Sequence, residues 1–186
     1  MERITNFLKS LGKWPSILLL LATFFGINAF FFPWAEKKLA GFGGPGTKVL
    51  DLHFGFSPEE AYQFLERIGP EGRSLYGLIE GTADMIYPIV YSLLLGTLLV
   101  LIWRRILPEN SRRLRLGLIP LVAAVFDYLE NICNLILVQR FPEASDAVAQ
   151  ASSLMGMGKW VFFGLSALLL VAGLVIWGVK ALSTRK

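Results

Sequence analysis

One cysteine and one histidine are the only thiol and imidazole groups among 186 residues. Cys133 sits inside an apolar run, so the chain has no disulfide framework, no CxxC redox pair and no zinc-ligand spacing. His53 alone cannot build a multi-histidine metal centre within one chain. No metal site is assigned from composition, and no cofactor can be named from it. Charge is scarce too. Asp, Glu, Lys and Arg make up 17% of the chain, against about 25% in soluble domains. In their place stand hydrophobic residues, at 54%. They are clumped into long runs, which read as membrane spans at about 20 residues each. The net charge of +4 does not point to nucleic acid, because the basic residues flank the apolar runs, where they set membrane orientation.

Four spans are expected, at about 14–32, 83–103, 117–138 and 156–179. This is an all-α fold, a four-transmembrane-helix bundle forming a single integral membrane domain over 1–186. Trp14 and Trp34 bracket the first run as interface anchors. Their separation corresponds to about 30 Å of helix, the thickness of a bilayer core. A signal peptide is the competing reading of this run. The run is too long for that, and no small-x-small cleavage site follows.

Orientation follows from the flanking bases. Arg3, Lys9, Lys13, Arg104, Arg105, Arg112, Arg113, Arg115, Lys180, Arg185 and Lys186 fall on one side. Lys37, Lys38, Lys48, Arg67, Arg73 and Arg140 fall on the other, over a stretch nearly twice as long. The positive-inside rule then predicts a multi-pass protein of the cell membrane with both termini cytoplasmic. The 35–82 and 140–155 segments face out.

The 35–82 loop has structure of its own. GFGGPG at 41–46 reads as a hinge. Leu50, Leu52, Phe54 and Phe56 alternate with more polar neighbours, which predicts a short strand with Asp51 and His53 on its opposite face. Ser57-Pro58-Glu59-Glu60 then predicts a capped helix with an apolar stripe of Ala61, Phe64, Leu65 and Ile68, ended by Gly69-Pro70. Asp51 and His53 read either as a solvated strand face or as a lid contact, with a weak metal contact shared with Asp84.

The densest signal is polar. Arg73, Tyr76, Glu80, Asp84, Tyr87 and Tyr91 are spaced by 3, 4, 4, 3 and 4, which places them on one face of a single helix. Asp127, Glu130, Asn131 and Asn134 share a face of the third span. Lys159 lies near the outer end of the fourth, within expected reach of Glu130 or Asp84. An ionised group at mid-bilayer costs at least about 2.5–3.5 kcal/mol. Three carboxylates at membrane level against one lysine therefore need protons, cations or water. The plain alternative is interhelical glue, with the same groups pairing only to hold the bundle together.

The runs GPEGRSLY, DMIYPIVY and FDYLEN resemble a pattern, GxxGRxxY…DxxYPxxY…FDYxEN, found in small uncharacterised four-span bacterial membrane proteins. The resemblance covers about residues 51–159 and implies the topology; no activity attaches to it. The paired cysteines of quinone-linked disulfide enzymes, the DGxxAR pattern of alcohol phosphotransferases and the claudin signature are absent.

Three functions fit these observations. The outward-facing polar cluster can bind a polar headgroup, a cation or a small ligand. A membrane enzyme acting on a lipophilic substrate can use Asp127 or Glu130 as acid or base, with Lys159 and Arg73 stabilising negative charge. An accessory subunit of a larger membrane complex needs only a filled, satisfied core. Membrane lipid, a second copy of the chain or a larger complex are the partners these readings call for.

Overall fold

The computed structural model describes residues 2–108 and 111–183, and the regular secondary structure in that range is helical. Arg185 and Lys186, two of the bases that set the expected orientation, lie outside the described residues, as does the side chain of Arg112. Seven α-helices are present among the described residues: α1 Glu2–Leu11, α2 Trp14–Gly26, α3 Phe32–Gly43, α4 Pro58–Gly81, α5 Ala83–Trp103, α6 Ile119–Arg140 and α7 Asp146–Ser183. They form four stretches long and apolar enough to cross a membrane: Trp14–Gly43, Pro58–Trp103, Arg113–Arg140 and Asp146–Ser183. The α5 helix is central, packed against α1, α2, α6 and α7. The amphipathic α1 folds back and buries Leu8 where Gly96 and Gly117 let the α5 backbone and the following connection approach closely.

Two departures from regular helix shape the half of the bundle that carries the 44–57 loop. The first span widens into a π turn at Ile27–Phe31, where the Phe32 N–H reaches the Ile27 carbonyl. Pro33 accounts for it. A proline has no N–H for the ladder, and its ring clashes with the carbonyl four residues back, so a wider turn lets the helix continue. The second span breaks twice. At Gly69, φ is 66° and ψ is −178°, a conformation reserved for glycine, and Pro70 restarts the helix. At Thr82, φ is −129° and ψ is −78°, which separates α4 from α5. The expected single helix from Gly72 through Tyr91 is therefore two helices, with Glu80 before the break and Asp84 after it.

The short strand is not there. Residues 50–52 form a 3-10 turn, and no strand occurs among the described residues. The alternation misleads because an isolated strand has no partner for its backbone groups. Of its expected apolar face, Leu50 is buried while Leu52 and Phe54 are 46% and 64% exposed. The loop is fixed by α7 instead. The Phe56 N–H donates to Ser153 Oγ at 2.8 Å, and Gly55 (φ 87°) lies against Met157. The Asp51 carbonyl accepts from Trp160 Nε1 at 3.2 Å. Ser153, Met157 and Trp160 are spaced as one helix face, so the loop lies along α7.

The helix that follows has the capping box, with Glu60 N–H donating to Ser57 Oγ and Ser57 N–H to Glu60 Oε2. It buries Ala61, Phe64, Leu65 and Ile68. The α7 helix starts at Asp146, so most of the expected 140–155 loop is helix. With 38 residues, α7 is about 57 Å long at 1.5 Å per residue, well beyond a bilayer core of about 30 Å. Its surplus outer turns carry the loop.

Candidate functional site in the outer half of the bundle

The site is built from the two interrupted spans, the loop between them and two unbroken helices, α6 and α7. The α6 helix presents Asp127, Glu130, Asn131 and Asn134 on one face, all four buried. Each does a definable job. Pro88 leaves the Asp84 carbonyl without the donor it would have in a regular helix. Asn131 supplies it, with Nδ2 donating to Asp84 O at 2.7 Å. One turn away Tyr128 donates to Met85 O at 2.8 Å. Asn134 stands between helices, accepting from Ser152 Oγ at 2.6 Å and donating to Glu80 Oε1 at 3.4 Å.

Asn131→Leu is expected to destabilise the protein by about 1–3 kcal/mol, the penalty for a buried carbonyl left unpaired. Pro88→Ala restores a helical donor to that carbonyl. The double variant should recover most of the loss in a thermal unfolding cycle, and strict additivity would contradict this assignment.

Glu130 and Lys159 meet at the α6–α7 contact. Lys159 Nζ lies 2.5 Å from Glu130 Oε2 and 3.7 Å from Asp127 Oδ1, with Glu130 fully buried. It also donates to the Asp51 carbonyl at 3.3 Å. Gly156 makes the approach of Glu130 feasible: a Cβ there would sit 2.5 Å from Glu130 Oε1 and 3.0 Å from its Cδ. What it packs against is a carboxylate.

Beside this pair lies a cavity of about 220 Å³. Buried Tyr76, Asp84, Tyr91, Asp127, Asn131 and Lys159 line its inner part. Exposed Asn28, Pro33, Glu36 and Leu52 line it where it meets the surface, and aromatic walls come from Phe32, Tyr87, Trp160 and Phe163. Tyr87 is held at the first span by reciprocal bonds with Asn28, at 3.1 and 3.2 Å. Its ring stands edge-on to Phe32 and Tyr91. The Tyr91 hydroxyl lies beside Asp127.

Of the residues expected here, Tyr76, Asp84, Tyr87, Tyr91, Asp127, Asn131 and Lys159 line the cavity, while Glu80, Glu130 and Asn134 stand behind that lining. Arg73 does not join them. Its Nη1 donates to Leu65 O at 2.8 Å across the Gly69 break, and its guanidinium covers the Phe141 ring at 4.1 Å. The break at Gly69–Pro70 turns this residue to the outer helix, away from the site.

Several contributors were missed. Asn28 left a readable signal, a single amide inside the first apolar run. Trp160, Ser152 and the carboxylate role of Gly156 left none, because each depends on which helix faces which. No family model, curated protein or solved structure matches the chain.

Proposed function

We propose that this is a binding- or transport-type membrane protein whose outer cavity takes a ligand bearing an ammonium group. The observation that carries it is the charge balance around the cavity. Glu36, Asp51, Asp84 and Asp127 line it, and Lys159, the one cation lining it among the described residues, is already paired with Glu130 behind the lining. The net field favours a cation, and the aromatic lining of Tyr87, Tyr91, Trp160 and Phe163 favours an organic one. At about 220 Å³ the space is smaller than the roughly 300–1,000 Å³ of drug-sized pockets. That suits a small amine or the amine of a lipid headgroup.

The enzyme reading loses both of its positive groups. Arg73 is engaged elsewhere, and the charge of Lys159 is already paired with Glu130 and Asp127. The accessory-subunit reading expects no cavity, so the cavity counts against it. The orientation belongs to the same proposal: termini and the basic 104–115 connection in the cytoplasm, the cavity facing out from the cell membrane.

Native mass spectrometry of the protein in mild detergent tests the reading. A co-purifying amine or aminophospholipid is expected with the parent and should be lost in Asp127→Asn and Asp84→Asn. Its mass separates a lipid headgroup from a free amine. Ethanolamine and choline should also raise the parent's melting temperature more than that of Asp127→Asn. If nothing co-purifies and neither amine discriminates the two proteins, the proposal is wrong.

A further inference from the structure

The loop and the broken second span bring together three carboxylates that the sequence keeps apart. One oxygen from each of Asp51, Glu80 and Asp84 lies within 4.8 Å of the other two. Glu80 is completely buried. Its Oε1 is fixed by Asn134, which is itself fixed by Ser152, while its Oε2 has no hydrogen-bond partner within 3.5 Å among the described residues, although the Tyr76 hydroxyl lies beside the carboxylate. Asp51 Oδ1 is buried and without a partner as well. No lysine or arginine forms an ion pair with any of the three among the described residues. Acidic clusters are common at surfaces, where water satisfies them. This one contains a fully buried carboxylate whose rotamer is set by a relay and whose second oxygen is left over.

We infer that Asp51, Glu80 and Asp84 form a divalent-cation site that ties the outer loop to the second span. The donor set is all oxygen, which selects a hard cation. Among hard cations, calcium accepts irregular oxygen geometry and takes carboxylates directly, whereas magnesium demands a near-ideal octahedron and keeps several waters. His53 does not take part; Glu80 stands where the lid-contact reading of the sequence had placed it. The Asn134–Ser152 relay does for Glu80 what second-shell partners do for metal ligands, fixing which oxygen faces the ion.

The consequence is conformational. Asp51 is held from one side by Trp160 and Lys159 through its carbonyl. An ion holds it from the other side through its carboxylate. Calcium then latches the loop over the cavity, and its removal frees that edge. This rests on the cavity as a ligand site, and it adds a second, inorganic ligand beside the ammonium.

The test uses the full-length protein in detergent after chelator treatment. Calcium is expected to raise the melting temperature, with a smaller effect from magnesium. Terbium, a luminescent stand-in for calcium, should be sensitised by the nearby Trp160 and displaced by calcium. Asp51→Asn and Glu80→Gln should each weaken calcium binding at least about tenfold, because ligand charge sets affinity at such sites. Glu66→Gln, on the exposed face of α4, should leave it unchanged. Asp51→Asn lies in the loop, so it keeps the test informative if Glu80→Gln does not fold. Absence of both signals in the parent overturns the inference. So does binding that survives both substitutions, since the ion is then elsewhere. A co-purifying amine in a protein that ignores calcium would sink this site alone and leave the ammonium reading standing.

Discussion

Replacing Lys159 with methionine is expected to lower stability by about 3–5 kcal/mol, the range for breaking a buried ion pair from one side. The substitution leaves Glu130 fully buried and Asp127 nearly so, facing each other without their cation. The size of the loss is the diagnostic. An exposed pair is worth only about 0–1 kcal/mol, so a loss in that range would mean that the pair is solvated. The double variant Lys159→Met with Glu130→Gln should recover much of the deficit, because it removes the stranded charge rather than the attraction. Denaturant titration in mixed micelles gives both numbers. A second readout follows from the loop. Lys159 also holds the Asp51 carbonyl, so the variant should be cut faster by protease in the 41–57 segment. Equal cleavage rates in parent and variant would show that the loop does not depend on this contact.

The second large effect is expected from a single methyl group. Gly156→Ala places a Cβ 2.5 Å from Glu130 Oε1. That oxygen cannot swing aside freely, because its carboxylate is fully buried and paired with Lys159. Either α6 and α7 separate or Glu130 leaves the lysine. Overpacking of this kind costs about 1–3 kcal/mol, more than the roughly 1 kcal/mol that alanine gains over glycine in a helix. Gly164→Ala on the same helix has nothing within 4 Å of the new Cβ. It should be neutral or stabilising. The opposite signs of these two alanines, measured by thermal unfolding, check the Glu130–α7 contact. If Gly156→Ala also stabilises, Glu130 is not packed as described. Loss of the co-purifying ligand in Gly156→Ala alone would link this packing to the cavity.

Much of the architecture could be read from the chain because the membrane imposes it. A backbone in hydrocarbon must satisfy its own polar groups, so a long apolar run with few charges is a helix. That constraint alone gives four helices long and apolar enough to span. Local chemistry gives more: the Ser57–Glu60 capping box and the stop at Gly69–Pro70 need only residues a few positions apart. The polar faces of α6 and of the second span are likewise a matter of helical spacing. Where the sequence reading went astray, a local pattern was allowed to stand for a tertiary fact. The alternation at 49–56 has the period of a strand, but a strand requires a neighbour, and the neighbour here is a helix. The spacing from Arg73 to Tyr91 fits one helix face, but that face is cut at Thr82, and Arg73 at its far end reaches back across the Gly69 break to Leu65.

The chain by itself placed carboxylates, amides and one lysine on one face each of apolar helices, where they need one another, protons, cations or water. Only the tertiary structure decided the pairing. It gave Lys159 to Glu130 and Asp127, Asn131 to the carbonyl that Pro88 leaves open, and Arg73 to the outer helix. It also set Asp51 beside Glu80 and Asp84 rather than in solvent. The reason is physical. A periodic pattern records which side chains share a face, whereas electrostatic partnership falls off over a few ångströms and depends on where two faces meet.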